Sequence, residues 1–423
     1  MKDISRAAKA EISNADGSDR RLASELGDLE LSPPQLADIA RALADQVRAG
    51  LASDGQEIRC LPAFLPTLSD DSIPETAYVV DVGGSNVRAA VVSSRGDRPA
   101  LVAGPVDRPL PRGVEGTLAE QVFFGVQREA LEALGHDAEL PLGYCFSYPA
   151  EPTPDGDARL LKWTKEIDVP ELVGEKVGSR LLRHLRDQHS TVRCSRVAVV
   201  NDTVASLLSG LSRPGYDAYV GLVVGTGFNL ASFFDAGQVP KLTASSGRIP
   251  VNLESGNFSP PWLTRWDEAL DAESQDQGQQ RFEKAVSGAY LGTLAEKVLG
   301  TPGFSNAAAL AQVLSNPHVH PPGHVEVAWL IFRRSAGLVA AGLAGLASVL
   351  QDPRPTHSIR VTAEGGLFWS RVAGRSLFAE TTLSVLAELQ EELKLPQALR
   401  FDCGLEDHAN LFGAAVAALY GRR

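Results

Sequence analysis

The chain carries the same short plan twice. Residues 77–82 and 87–93 are apolar, β-branched runs that flank Gly83, Gly84, Ser85 and Asn86, which reads as a hairpin with a turn largely free of β-carbons. Residues 224–233 repeat it: strand, a turn with Gly225, Thr226 and Gly227, then Asn229 on the returning strand. Further strands are expected at 142–147, 197–201, 218–224, 229–234 and 359–363, with helical segments between them, and such alternation argues an α/β fold. Two hairpins separated by helices in a chain of 423 residues, long enough for two cores, predict a duplicated lobe with a cleft between the copies.

Ser32 before Pro33 is a helix start, and Leu36, Ile39, Ala40, Leu43 and Val47 follow at helical spacing to about residue 49. A second helix is expected near 118–134. The uncharged, Ala- and Gly-rich stretch 335–351 reads as a tightly packed core helix, too short to span a bilayer comfortably. Residues 302–323 read as partly loop; His318, His320 and His324 lie in or beside them without an acidic or Cys companion, so a solvated loop is expected rather than a metal site. Residues 1–29, polar and mixed in charge, read as a loose extension.

A net charge of −12 disfavours nucleic acid and anionic membranes as main partners. The four cysteines have no CxxC spacing, and the first twenty residues hold no apolar block; a reducing, cytoplasmic setting is the expectation. Nothing in the sequence sets the oligomeric state, and a monomer is the default.

Three clusters are candidates for chemistry. Asp81 is delivered by an apolar strand to a glycine turn, where a polyphosphate can approach backbone amides while the carboxylate holds a hydrated Mg²⁺; the alternative is an ordinary hairpin turn. The turn around Thr226 offers a hydroxyl and amides in the same way. No Walker A lysine pattern is present. Asn201, Asp202 and Thr203 end a strand and start a helix, so Asp202 is either a cap or a carboxylate set in a cleft to accept a hydroxyl proton. Lys162, Trp163, Thr164 and Lys165 form the third cluster, for which a surface position is the alternative.

In combination these blocks resemble the eukaryotic-type hexokinases, glucokinases included. The resemblance runs from residue 31 to 415 and takes in 81–88, 142–149, 162–165, 199–207, 221–229, 251–258 and 279–292 in order. It implies a two-lobed actin and hexokinase-like (ribonuclease H-like) fold: residues 30–66 with 203–406 in a large lobe, 67–202 with 407–423 in a small one. It implies an ATP-dependent hexose 6-kinase, glucose the default sugar, performing the first step of glycolysis with Mg²⁺ and with Asp202 as general base. Ser147, Thr164, Lys165, Asn201, Asp202, Asn229, Glu254, Gln280 and Glu283 match sugar-contacting positions, Lys165 adding positive charge near the transferred group. Asp81, Gly83, Gly84, Ser85, Asn86 and Arg88 match the first phosphate segment, Gly225, Thr226 and Gly227 the second, and Gly365 lies in the adenosine segment.

The chain departs from the family pattern at several points. Ser85 stands for Thr, Ser255 for Trp, Glu166 and Ile167 for Gly and Phe, and Glu364 for Asp. A Ser and Gly loop that faces nucleotide phosphate is replaced by His408, Ala409, Asn410, Leu411 and Phe412, and residues 293–336 are fewer than in the family. The alternative readings are a sugar-binding sensor without efficient catalysis and a kinase of another hexose.

Overall fold

A computed structural model describes residues 26–65, 75–94, 98–113, 117–165, 167–242 and 247–419. After a short strand β1 (Leu61–Pro62), the chain builds a five-stranded sheet from β2 (Thr76–Val82), β3 (Asn86–Ser93), β4 (Ala100–Pro109), β5 (Glu139–Phe146) and, beyond the two-stranded ribbon β6 (Ala150–Pro152) and β7 (Ala158–Leu160), β8 (Arg193–Val200). Its order is β4-β3-β2-β5-β8, antiparallel through the hairpin strands and parallel from β2 to β8. The second half repeats that order with β9 (Ala218–Val224), β10 (Phe228–Asp235), β11 (Arg248–Asn252), β12 (Ser358–Glu364) and β13 (Arg400–Gly404), and β1 pairs onto its edge to give six strands. The duplication seen in two turns is therefore a duplication of whole sheets.

The helices are α1 (Pro33–Ala52), α2 (Glu120–Glu132), α3 (Val177–Asp187), α4 (Asp202–Ser209), α5 (Arg265–Glu273), α6 (Arg281–Val286), α7 (Leu291–Leu299), α8 (Ala307–Ser315), α9 (Pro322–Val349), α10 (Leu377–Glu392) and α11 (Ala409–Ala418). Alternation along β2 sends Tyr78, Val80 and Val82 into a core with Phe123 and Phe124 of α2 and Leu181 of α3, and Ala77 and Val79 into a different core on the opposite face. That second face meets Tyr219, Ala231 and Phe233 of the other sheet through α4 and α11, which are sandwiched between the two sheets. The two helices cross so closely that a β-carbon on Gly413 would lie 1.9 Å from the Ala205 carbonyl oxygen, so only glycine fits. The largest core packs the six-stranded sheet against α1, α9 and α10.

Several expectations are corrected. The core helix expected at 335–351 begins at Pro322, because Glu326, Arg333 and Arg334 interrupt the uncharged run without ending the helix; Arg334 is buried and bonds both carboxylate oxygens of Asp267, at 3.1 and 2.7 Å. By length and composition α9 is able to cross a bilayer, but 94% of its apolar window is buried inside the protein. Residues 302–323, read as partly loop, hold α8 between irregular stretches, and the His324 ring, expected in a solvated loop, packs on Phe304 at 5.5 Å between centroids. Strands β4, β11 and β13 were not foreseen: Gly104 and Pro105 interrupt the strand-like residue pattern of β4, and β11 and β13 are five residues each. Leu26 and Leu29, assigned to the loose extension, are buried in the largest core. The rest of that extension (1–25), Glu166 and residues 420–423 lie outside the described residues.

Candidate active site

The β2–β3 register sets Arg88 directly across from Asp81, and the two form a 2.5 Å ion pair with Asp81 only 4% exposed. Gly83 N–H closes the turn on the Asn86 carbonyl at 3.0 Å, while the Tyr148 hydroxyl donates to the Gly83 carbonyl at 2.9 Å. A β-carbon on Gly84 would lie 3.0 Å from Cβ and Cδ of Lys165, so the lysine stem rests on the turn because the turn has no side chain there. Lys165 Nζ then donates to the Ser147 carbonyl at 2.7 Å and stands 5.5 Å from the centroid of the Tyr148 ring. Trp163 anchors this loop by donating to the Val169 carbonyl at 2.8 Å and by packing on Phe123, Phe146 and Tyr148. Lys162, Ser85 and Asn86 are exposed, and Thr164 is half-buried with its carbonyl accepting from Ile167 N–H at 3.3 Å.

The second turn is one residue tighter. Val224 pairs with Phe228 across Gly225, Thr226 and Gly227, whereas Val82 pairs with Val87 across four residues. The echo is therefore not residue for residue: Asn86 ends up at an exposed turn and Asn229 on the strand beyond it. Thr226 is exposed at the tip, and the Gly225 carbonyl accepts from Gly288 N–H at 2.7 Å. Gly365 packs on the base of this turn with φ +111°, where a β-carbon would be 2.3 Å from the Val224 oxygen.

Beside that turn lies a ring of carboxamides and carboxylates whose orientations are set by one another. Asn229 Oδ1 accepts from Leu230 N–H at 2.8 Å, Ser255 N–H at 3.1 Å and the Ser255 hydroxyl at 3.3 Å; its amide donates to Asn252 Oδ1 at 2.7 Å, and Asn252 donates onward to Glu254 Oε1 at 2.6 Å. Among the described residues, Asn229 thus keeps one N–H, and Glu254 one oxygen, without a partner. Ser255 is fully buried and serves as a donor to Asn229, so the exchange at this position alters the ring's hydrogen bonding. A β-carbon on Gly256 would lie 2.6 Å from Gln280 Oε1 and 3.2 Å from Glu283 Cβ, which brings those two side chains to the same edge. Glu283 Oε2 accepts from Phe228 N–H at 2.9 Å. Burial pushes the Glu283 carboxyl up to about 7; the Phe228 N–H and Lys165 oppose the rise, and Glu254 and Asp276 add to it.

Asn201 is the cap that the sequence left undecided: its Oδ1 accepts from Val204 N–H at 2.8 Å. That frees Asp202 from capping. Its Oδ1 is held by the Thr203 N–H at 2.8 Å and hydroxyl at 3.3 Å, and its Oδ2 has no hydrogen-bond partner among the described residues. After burial, the charge of Asp202 is among the causes that raise both Glu254, in the polar ring, and Glu364, at the end of β12 beside Gly365. The charge of Asp202 is therefore felt on both sides, by the polar ring and by the carboxylate next to Gly365. Lys165, on the loop that rests on the first glycine turn, lowers Glu283 in the same way, so charge on the five-stranded half acts on the ring of the other.

Glu364 and Asn410 belong to this site and were recorded from the sequence only as departures from a pattern. Asn410 Nδ2 lies 3.4 Å from Asp81 Oδ2, while Asn410 Oδ1 and Glu364 Oε1 are buried without a hydrogen-bond partner among the described residues. Burial, with Asp81, Asp202 and Asp407 adding and Arg88 opposing, pushes the Glu364 carboxyl up to about 7. Among the described residues no three His, Cys, Asp or Glu side chains gather as a metal cage, so these oxygens fit only a largely hydrated Mg²⁺ held by one or two carboxylates together with substrate phosphate.

Two family models, both described as hexokinase, match residues 21–211 and residues 219–302 with 324–420. Hexokinase-7 of Oryza sativa subsp. japonica is 30% identical over 447 residues, covering 92% of this chain and 94% of its own length. Hexokinase-3 of Homo sapiens is 31% identical over 295 residues, 66% of this chain and 31% of the human protein. Among solved structures, the Schistosoma mansoni hexokinase complexed with glucose superposes with a TM-score of 0.76 at 24% identity, over 95% of this chain and 98% of the other, and a ROK hexokinase from Thermus thermophilus with a TM-score of 0.53 at 17% identity, over 81% and 97%. The duplicated sheets agree with those matches along nearly the whole chain, and the protein belongs to the hexokinase family as a phosphotransferase acting on hexoses.

Proposed function

We propose that the enzyme transfers the γ-phosphoryl group of ATP to the 6-hydroxyl of a hexose, with glucose as the default acceptor, as the entry reaction of glycolysis. Asp202 carries the proposal: its Oδ2 has no hydrogen-bond partner among the described residues, and its charge acts on both Glu254 and Glu364. In this reading Asn229, Glu254, Gln280 and Glu283 take sugar hydroxyls from the six-stranded half, and Ser147, Thr164 and Lys165 from the other, with Asn201 Nδ2 beside the base. A ring of paired donors and acceptors reads several hydroxyls at once, because a missing one leaves a buried group unpaired at a cost of about 1–3 kcal/mol.

Asp202 accepts the 6-hydroxyl proton as the oxygen–phosphorus bond forms and the bond from the γ-phosphorus to ADP breaks. Lys165 Nζ, held by the Ser147 carbonyl at 2.7 Å, would give up that partner for a phosphoryl oxygen. Gly83, Gly84, Ser85 and Asn86, with Gly225, Thr226 and Gly227, offer backbone amides and hydroxyls to the phosphates; Gly365 borders the adenosine side. Asp81, released in part from Arg88 and joined by Glu364 and Asn410, would hold Mg²⁺, which neutralises phosphate charge when bound. The four free cysteines are in keeping with a cytoplasmic setting.

A coupled assay over a hexose panel, crossed with several nucleoside triphosphates and Mg²⁺, tests this reading. Sugar 6-phosphate from glucose and ATP is the expected product. Tight hexose binding with no nucleotide binding and no turnover would instead establish a sensor, and turnover confined to another hexose would reassign the acceptor.

A further inference from the structure

Lys284 follows Glu283 in α6, is 3% exposed, and takes no part in the site described above. Its ammonium donates to Asp271 Oδ1 at 2.8 Å, the Ser274 hydroxyl at 2.8 Å and the Asp276 carbonyl at 2.9 Å, and it pairs with Asp276 Oδ1 at 2.9 Å. Three hydrogens are all that an ammonium has, so these acceptors exhaust it. Every one of them lies at the end of α5 or on the connection from α5 to α6. The same Asp271 takes Gly278 N–H on its two oxygens at 3.1 and 2.9 Å, so the segment from Ser274 to Gln280 is wound around a single buried cation.

That segment ends on Gln280 in a left-handed conformation, φ +52°, which costs a residue with a side chain about 1 kcal/mol and persists only where its surroundings hold it. The reversal lets the Gln280 carbonyl accept from Lys284 N–H at 2.8 Å and start α6, and it directs Gln280 and Glu283 together to the edge marked by Gly256. We propose that Lys284 is a positioning residue for hexose recognition, gathering the α5–α6 connection so that Gln280 and Glu283 face the sugar. This rests on the hexose reading of the site. Removing Lys284 alone leaves the buried Asp271 without its cation, so any substitution here lowers stability, and it is hexose binding that distinguishes a positioning role from a purely structural one.

The test is Lys284→Met, with hexose dissociation constants from intrinsic fluorescence, steady-state kinetics for both substrates, and a melting curve. The expected result is a rise of about tenfold or more in the hexose Kd and KM, with the KM for MgATP within about twofold of wild type. A loss of melting temperature with hexose Kd unchanged would reduce Lys284 to a structural residue and overturn the proposal. Should the Met variant not fold, Asp271→Asn, which keeps the shape and weakens the grip on both Lys284 and Gly278, decides it: several-fold weaker hexose binding supports it, and wild-type binding overturns it. A wild-type protein that binds no hexose would overturn the functional reading and this inference together, whereas binding by wild type and variants alike would sink the inference alone.

Discussion

Glu283→Gln separates the electrostatic cost of the site from its shape. The carboxyl of Glu283, ordinarily near 4.5, is pushed up to about 7 by burial, while the glutamine isostere keeps an oxygen for the Phe228 N–H bond of 2.9 Å. Below about pH 4.5 the folded and unfolded chains both hold the proton and the group costs nothing. Between about 4.5 and 7 the unfolded chain has lost the proton that the folded one keeps, so the folded state binds more protons and stability falls as pH rises. Above the folded value the whole penalty is present, on the order of 3 kcal/mol at 1.36 kcal/mol per unit; partial access to solvent reduces it to about 2 kcal/mol. Urea unfolding followed by tryptophan fluorescence at about pH 5 and about pH 8 should show the variant gaining about 2 kcal/mol on wild type across that range. Glu254 and Glu364 are also raised, but they are present in both proteins and largely cancel in the difference. If the wild-type to variant difference is the same at both pH values within about 0.5 kcal/mol, the buried-carboxylate account of this site is wrong.

Asp202→Asn should lower kcat by about a hundredfold to ten-thousandfold while the hexose Kd stays within a few-fold, since a carboxamide keeps the Thr203 bonds but takes no proton; near wild-type turnover would remove Asp202 as the base. Glu364→Gln should raise the KM for MgATP and the Mg²⁺ requirement by about tenfold and leave hexose binding unchanged, as measured by kinetics and by titration of Mg²⁺ against nucleotide binding; an effect on the hexose side alone would move Glu364 out of the phosphate half. Gly413→Ala drives a β-carbon to 1.9 Å from the Ala205 carbonyl, and at the crossing of α4 and α11 that overpacking should cost about 3 kcal/mol in unfolding experiments; a change under about 0.5 kcal/mol would show that the two helices separate freely.

Much of the site was legible before any coordinates. Asp81, Asp202 and the glycine turns are local motifs, each at the end of an apolar strand, and Asp81 meets Arg88 because a hairpin with that register puts residues 81 and 88 opposite each other. The cap question at Asn201 and Asp202 was not legible, since either residue type caps a helix and only the Val204 N–H to Asn201 bond separates them. Nor was the helical reach of α9, whose buried Arg334 looks like a surface charge until Asp267 is found beside it.

The order of motifs along the chain was sufficient for family, fold class and the identity of the candidate base, because strand ends, turns and caps depend on residues a few positions apart. Folding in space alone decided that Lys165 lies on Gly84, that Glu364 and Asn410 bring orphaned oxygens to Asp81, and that Lys284 holds the segment leading to Gln280. Those relations join residues far apart in the chain or turned together by a backbone reversal, and desolvation, which raises Glu283 and Glu364, exists only once the two sheets have closed around them.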